Sequence, residues 1–282
     1  MPTNSGEREP FGARLAAAML ARGPLCVGID PHPALLAAWG LDDSADGVRR
    51  FSRTVLEAVA PIAAAIKPQV ALYERHGSAG MAALEELLAA AAQAQLLTIA
   101  DAKRGDIGST MAGYADAWLR DGSALAADAV TLSPYLGFES LRPALEMAAA
   151  NGRGVFVLAL TSNPEGASVQ HVGGSDSVAK RIVEAAGVEN QRYAAEALGS
   201  VGLVVGATVG GALADLGIDL AAVHGPLLAP GLGAQGATGV NMRATFGTAY
   251  PAVLATSSRG ILVAGPQVAA LRAATVETLA GL

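Results

Sequence analysis

The sequence is poor in aromatic and in charged residues. Aromatic residues make up 4% of the 282 residues and charged residues 16%, whereas hydrophobic residues make up 52%. A hydrophobic share this large suffices for a sizeable core and excludes global disorder. Because aromatic residues are few, we expect a core of Ala, Val, Leu and Ile, as in layered helices and sheets.

Cysteine is almost absent, and histidine is sparse. Cys26 is the only cysteine, which excludes an intramolecular disulfide and indicates a reducing compartment. It lies in the apolar run 25–29, where a buried thiol is expected. The histidines are His32, His76, His171 and His224. They show no pair at metal-ligand spacing, so we predict no zinc site.

Basic charge and long apolar runs are also lacking. The net charge of -6 and the pI near 5.2 argue against a protein that coats nucleic acid, although a local site can still bind a small anion. No apolar run reaches the ~18 residues that span a membrane. Residues 1–10 lack the apolar segment of a signal peptide. We therefore expect no nucleic-acid or membrane partner and a cytoplasmic location.

Short apolar runs alternate with segments of helical periodicity along the chain. The predicted strands are 25–29, 62–66, 96–100, 127–132, 155–160, 201–207, 226–229 and 252–255. The predicted helices are 11–21, 48–59, 79–94, 110–119, 141–150, 178–198, 212–216 and 268–279. This pattern predicts an α/β fold, a (β/α)8 TIM barrel with an additional N-terminal helix, as one domain over residues 1–282. Strand counting leaves a doubly wound open sheet as the alternative.

Polar side chains follow most of the predicted strands. They are Asp30, Lys67, Asp101, Lys103, Ser162, Gln235 and Arg259. A closed barrel brings the C-terminal ends of all its strands to one face, where the active sites of such barrels lie. This distribution of polar residues favours the barrel over the open sheet.

The third strand ends in closely spaced charges. In a strand, Asp101 and Lys103 share a face and Arg104 points away from it, toward solvent or a subunit contact. One interpretation is a structural ion pair, because charges at a buried strand end are costly unless paired. The other is a lysine kept protonated between Asp101 and Asp106 so that it delivers a proton. The stretch by itself leaves both open.

A glycine-rich segment follows the seventh strand. Gly231, Gly233 and Gly236 spell G-x-G-x-x-G, but no acidic residue follows at the distance that a dinucleotide-binding motif requires. The segment is therefore either a plain glycine-rich turn or a loop whose backbone N-H groups bind a phosphate. Barrels frequently bind phosphate after strands seven and eight, and Gln235 and Arg259 are suitable hydrogen-bond donors there.

The interval 164–177 is long, polar and rich in glycine. Connections of this length in compact domains are often functional, so we predict a mobile loop over a site. Ser162, just before it, either bonds a polar edge of the substrate or caps a turn.

The chain resembles the orotidine 5'-phosphate decarboxylase family in the run Asp101-Ala-Lys103-Arg-Gly-Asp106-Ile107. The sequence of this run is most similar to the longer bacterial branch of the family. Asp30, Lys67, the segment 230–236 and Arg259 match the family in the same order. The resemblance covers about residues 25–260.

The resemblance implies a barrel dimer that removes carbon dioxide from orotidine 5'-monophosphate and yields uridine 5'-monophosphate for pyrimidine synthesis, with no cofactor and no metal ion. Lys103 would protonate the ring carbon, and Asp106 would act in the partner subunit's site. The implied catalytic residues are Lys103, Asp101, Asp106 and Lys67. The implied substrate-binding residues are Asp30, Ile107, Thr110, Ser162, Gly231, Gln235, Ser258 and Arg259.

Two other functions fit parts of the pattern. Metal-dependent sugar-phosphate decarboxylases and aldolases of the same barrel group share the Asp-x-Lys-x-x-Asp pattern. Resemblance implies that those enzymes have an acidic metal ligand at the end of the second strand, where this chain has Lys67. This difference disfavours magnesium. A nucleotide-binding barrel without catalysis has no need for Lys103 between two carboxylates.

Overall fold

The computed structural model describes residues 8–232 and 237–282. Within them the strands form a closed parallel barrel in which each strand pairs with the next along the chain and the eighth pairs with the first. The strands are β1 (Leu25–Ile29), β2 (Ala65–Pro68), β3 (Leu97–Arg104), β4 (Ala129–Leu132), β5 (Gly154–Leu160), β6 (Val201–Val205), β7 (Leu227–Pro230) and β8 (Val253–Ser257). This closure confirms the predicted TIM barrel, and the open sheet is wrong.

The helices of the described residues surround the barrel, except the first, which lies across its N-terminal end. They are α1 (Phe11–Arg22), α2 (Pro33–Ala38), α3 (Ala45–Val59), α4 (Ala71–Glu74), α5 (Gly77–Gln93), α6 (Gly108–Leu119), α7 (Arg142–Ala150), α8 (Ala167–Gln170), α9 (Val178–Asn190), α10 (Gly210–Asp215), α11 (Gly239–Phe246), α12 (Arg259–Leu262) and α13 (Val268–Ala280). The expected N-terminal helix is α1. Among the described residues, no helix has the length and apolar character needed to cross a bilayer.

The additional helix α1 closes the N-terminal end of the barrel. Its apolar face carries Phe11 and Leu15, both fully buried, against the interior side chains of the strands. The Phe11 and Phe156 rings meet edge to face, and their centroids are 5.9 Å apart. Gly154 makes room for Phe11, because a Cβ there would lie 2.2 Å from the ring. The opposite end of the barrel stays open for a site.

Alternating strand residues divide the core into two layers. On β4, Ala129 belongs to the barrel interior, whereas Val130 and Leu132 pack against the surrounding helices. Both layers consist mainly of aliphatic side chains, as the composition predicted.

Several predicted boundaries are wrong. The second strand begins at Ala65 and includes Lys67 rather than ending before it, and β3 continues to Arg104. The helices α2, α4, α11 and α12 were not predicted. The interval 164–177 contains α8 and two short 3-10 turns, while its mobility stays a prediction.

The helix predicted over 178–198 ends at Asn190. The Asn190 side chain is buried and donates to the backbone carbonyls of Val201 and Val223. It also accepts a hydrogen bond from the backbone N-H of Val201. The chain therefore leaves the helix here because a tertiary contact fixes its end, which helical periodicity does not reveal.

Candidate active site

A pocket of about 530 Å³ opens at the C-terminal ends of the strands. Predicted site residues that line it are Asp30, Lys67, Asp101, Lys103, Ser162, Gly231, Ser258 and Arg259. They come from β1, β2, β3, β5, β7 and β8 or from the segments that follow these strands. The barrel brings them to one face, as its topology requires.

Asp101 lies between two lysines. Its Oδ2 is 2.7 Å from the Lys67 Nζ, and its Oδ1 is 2.6 Å from the Lys103 Nζ. The side chains of Lys67 and Asp101 are each 8% exposed, whereas that of Lys103 is 46% exposed. Lys67 and Asp101 thus form a buried ion pair, and Lys103 extends from it into the pocket.

Two neutral donors complete the hydrogen bonding of the Asp101 carboxylate. The Gln69 side-chain amide donates to Oδ2 at 3.2 Å, and the Thr131 hydroxyl donates to Oδ1 at 3.0 Å. Each carboxylate oxygen therefore accepts one charged and one neutral hydrogen bond. A buried carboxylate with its oxygens satisfied in this way is held in one orientation.

Sequence reasoning missed both neutral donors. Gln69 lies two residues after Lys67, and the period of a strand already places such a pair on one face. Thr131 gave no comparable signal, because only the register of β3 against β4 brings it to Asp101.

The charges act on one another's protonation. Burial by itself raises the pKa of Asp101, but the nearby ammonium groups of Lys67 and Lys103 and their hydrogen bonds bring it well below its usual range. Burial by itself lowers the pKa of Lys67, but the carboxylates of Asp101 and Asp30 bring it above its usual value. Both members of the buried pair are therefore charged at neutral pH.

Cys26 lies beneath this charged cluster, on β1. Burial is the main cause that raises the pKa of its thiol to about 12. The thiol is therefore neutral at physiological pH, which fits the expected buried cysteine.

The backbone at Lys103 is unusual. Its φ is +48°, a left-handed conformation that residues with a Cβ rarely adopt. The register of β3 against β4 also shifts here, from the pair Ala100–Val130 to the pair Arg104–Leu132. Strain of this kind clusters at functional sites, and here it directs the Lys103 side chain into the pocket.

Asp30 lies at the pocket wall beside Ser258. Its Oδ1 is buried and has no hydrogen-bond partner among the described residues. Gly28 allows the Ser258 and Asp30 side chains to lie close to the β1 backbone, because a Cβ at residue 28 would lie 1.9 Å from the Ser258 Oγ and 3.3 Å from the Asp30 Oδ1. An unpaired buried acceptor is costly, so this oxygen is suited to accept a hydrogen bond from a ligand hydroxyl.

An apolar wall also lines the pocket. It consists of Leu158, Val204 and Leu228, which were not predicted as site residues. The pocket thus combines buried charges with an apolar surface, which suits a small ligand with both polar and apolar groups.

Asp106, Ile107 and Thr110 do not line the pocket of their own chain. They lie between β3 and the first turn of α6. The Asp106 Oδ1 accepts a hydrogen bond from the Ile107 N-H at 2.8 Å, and Ile107 is 61% exposed.

Arg104 makes its contacts within the chain. It pairs with Glu74, and its guanidinium lies over the rings of Tyr114 and Trp118 at 5.6 and 5.9 Å from the centroids. Its side chain is 24% exposed, so it does not point freely into solvent, and the alternative of a subunit contact stays a prediction. It links the end of β3 to α4 and α6.

The predicted phosphate region is described in part. Gly231 has a φ of +120°, which glycine tolerates. Arg259 is exposed at the start of α12. Gly233, Gln235 and Gly236 lie outside the described residues. Across those that are described, no three His, Cys, Asp or Glu side chains are grouped so as to hold a metal ion.

Comparison with known proteins identifies the relatives of this barrel. The family model of orotidine 5'-phosphate decarboxylase / HUMPS matches residues 23–274. The chain belongs to this family. The match confirms both the resemblance seen in the Asp101–Ile107 run and the expectation of a carboxy-lyase.

Individual members of the family match almost the whole chain. Orotidine 5'-phosphate decarboxylase of Salinispora arenicola is 57% identical over 274 residues, 96% of each chain. That of Streptomyces coelicolor is 54% identical over 266 residues, 94% of each chain.

Solved structures give the same result. A crystal structure from Streptomyces avermitilis has a TM-score of 0.93 at 53% identity and covers 100% of this chain and 97% of its own. The OMP decarboxylase of Leishmania donovani has a TM-score of 0.72 at 30% identity, with 95% of each chain covered.

Proposed function

We propose that the chain decarboxylates orotidine 5'-monophosphate to uridine 5'-monophosphate in de novo pyrimidine biosynthesis, without a cofactor. The observation that carries the proposal is the Lys67–Asp101–Lys103 cluster at the pocket, with Lys103 extending into it. Membership of the family supports this substrate.

In the proposed reaction, the bond between the pyrimidine ring and its carboxylate breaks, and carbon dioxide leaves. The electron pair stays on the ring carbon, where the Lys103 ammonium stabilises it and then donates a proton to it. The neutral lysine recovers its proton from water. No electrons are gained or lost, so the step requires no redox partner.

Asp101 and Lys67 serve this step by holding Lys103. The 2.6 Å contact between the Lys103 Nζ and the Asp101 Oδ1 fixes the direction of the ammonium. Lys67 balances the charge of Asp101 from the other side at 2.7 Å. Such preorganised charge stabilises a developing anion without reorganisation during the reaction.

The remaining pocket residues bind the substrate in this proposal. The unpaired Asp30 Oδ1 accepts a hydrogen bond from a ribose hydroxyl. Ser162 contacts the base, and Gly231, Gln235, Ser258 and Arg259 bind the phosphate. These remote contacts supply binding energy that orders the site.

We also propose a homodimer in which Asp106, Ile107 and Thr110 enter the partner's site. Their position outside their own pocket supports this, as does the exposure of neighbouring apolar side chains. Ile107 is 61% exposed, and Tyr135 and Leu136, which follow β4, are 79% and 53% exposed. Exposed large apolar residues are typical of contact surfaces. Each chain is proposed to be one domain over residues 1–282.

The decisive experiment is an assay of the purified protein with orotidine 5'-monophosphate in the presence of a chelator. We expect conversion, measured as the loss of the substrate's ultraviolet absorbance. Lys103→Ala should retain binding of uridine 5'-monophosphate while losing most turnover. Absence of turnover by the wild type, or turnover only with added magnesium, would contradict the proposal and favour the metal-dependent barrels. An active Lys103→Ala variant would exclude Lys103 as the acid.

A further inference from the structure

Thr131 of β4 provides a buried hydroxyl between Asp101 and Lys103 of β3. It is 1% exposed and points with Ala129 into the barrel interior. Its Oγ1 lies 3.0 Å from the Asp101 Oδ1 and 2.9 Å from the backbone N of Lys103. Thr131 thus contacts both the Asp101 carboxylate and the backbone of Lys103, whose ammonium group bonds to that carboxylate.

The direction of both hydrogen bonds is determined by chemistry. The backbone N-H of Lys103 only donates, so the hydroxyl oxygen accepts from it. The Asp101 carboxylate only accepts when ionised, so the hydroxyl proton points toward it. The Thr131 hydroxyl therefore has one orientation, in which it links the Lys103 backbone to the Asp101 carboxylate.

The register of the sheet explains why a side chain is needed here. Between the pairs Ala100–Val130 and Arg104–Leu132, β3 has three residues, whereas β4 has only one, Thr131. The Lys103 N-H donates to the Thr131 hydroxyl, which takes the place of a strand carbonyl. This bond compensates for the left-handed backbone of Lys103, with φ +48°, which by itself is unfavourable.

We infer that Thr131 is a positioning residue: its hydroxyl fixes the Lys103 backbone and the Asp101 carboxylate relative to each other, so that the Lys103 ammonium is directed at the reacting carbon. The inference rests on the proposed function, in which Lys103 donates the proton. Thr131 itself is not among the described residues that line the pocket, so it acts through Lys103 and Asp101.

The test is the steady-state kinetics of Thr131→Val, which keeps the shape of the side chain and removes the hydroxyl. We expect kcat for orotidine 5'-monophosphate to fall about 10- to 100-fold, because Lys103 and Asp101 lose the hydroxyl that fixes their relative geometry and a misplaced catalytic group slows the chemical step. KM should change less than about twofold, because uniform binding is untouched. Thr131→Ser, which retains the hydroxyl, should keep kcat within about threefold of the wild type.

Thr275→Val is the matched control. Thr275 is fully buried in α13 and donates to the Leu271 carbonyl, so its substitution also removes a buried hydroxyl but lies away from the site. It should leave kcat unchanged. If Thr131→Val does not fold, Thr131→Ser and Thr131→Ala provide the same comparison, because both lack the methyl group and differ only in the hydroxyl.

The outcomes separate this inference from the proposed function. An inactive wild type would overturn both. An active wild type with an inactive Lys103→Ala variant, together with a Thr131→Val variant of wild-type kcat, would overturn only the positioning role. Equal kcat for Thr131→Ser and Thr131→Ala, or a loss confined to KM, would likewise overturn it.

Discussion

At the scale of single residues, the buried Lys67–Asp101 pair is a poor device for stability. Removing two charges from water costs free energy that their attraction only partly restores. The four hydrogen bonds on Asp101 offset much of that cost. The pair is better explained as a support for Lys103, which a hydrophobic pair of similar volume would not provide.

The lowered pKa of Asp101 predicts how stability depends on pH. Since the folded-state pKa lies below the unfolded value of about 3.9, the unfolded chain binds more protons near pH 4. The stabilisation by ionised Asp101 is therefore fully present above about pH 5 and is lost as the pH falls toward the lowered pKa. We expect the difference in Tm between the wild type and Asp101→Asn to shrink between about pH 6 and pH 3, measured by circular dichroism.

A surface carboxylate provides the control for this pH series. Asp116 forms an i,i+4 pair with Arg120 in which both side chains are about half exposed, and such pairs contribute little. Asp116→Asn should run parallel to the wild type across the pH range. A constant difference for Asp101→Asn would show that its ionisation is not coupled to folding.

At the scale of elements, the ends of helices and strands are set by contacts with other elements. The helix α9 stops at Asn190, whose side chain bonds the backbone near β6 and the turn before β7. Gln170 of α8 acts similarly: its amide bonds the backbone N-H and the hydroxyl of Thr161 at the end of β5. In both cases one polar side chain hydrogen-bonds backbone groups of a distant segment.

Asn190→Ala should therefore destabilise the fold. It leaves the Val201 N-H and the carbonyls of Val201 and Val223 without this partner in a buried environment. We expect the free energy of unfolding to fall by roughly 3 kcal/mol or more, since each of the three buried unpaired groups costs about 1–3 kcal/mol. Urea denaturation measures this change.

Asn241→Ala is the comparison for this substitution. The Asn241 side chain accepts hydrogen bonds from the N-cap residue Thr238 at the exposed start of α11, and loss of a capping interaction costs only about 1 kcal/mol. An Asn190 variant no less stable than the Asn241 variant would contradict the assigned role of Asn190.

At the scale of the whole molecule, the proposed dimer gives each site residues from two chains. Lys103 lies in the pocket of its own chain, whereas Asp106 lies outside it. If the two chains exchange these residues across a twofold axis, the same surface serves both sites. Catalysis would then require association.

Mixing two inactive variants tests this arrangement. Asp106→Asn and Lys103→Ala should each be inactive alone. In a heterodimer, one site combines the intact Lys103 of one chain with the intact Asp106 of the other, so full random exchange should restore about a quarter of the wild-type activity per subunit. Differently tagged chains, co-purified, verify the exchange. An inactive mixture after verified exchange would exclude the shared site.

The barrel and the order of the polar residues around it could be predicted from the sequence. Eight apolar runs, nearly all ending in polar residues, favour the barrel over the open sheet, because a closed barrel brings the C-terminal ends of all its strands to one face. Asp30, Lys67, Asp101 and Lys103 were therefore predictable as neighbours from their places along the chain.

The way in which these residues are held depends on contacts between distant elements. The extension of β3 through Lys103, its left-handed backbone and the hydroxyl of Thr131 depend on the register between β3 and β4. The end of α9 depends on Asn190 reaching two distant segments. Local periodicity carries no information on such pairings, because they join residues that only the closed barrel brings into contact.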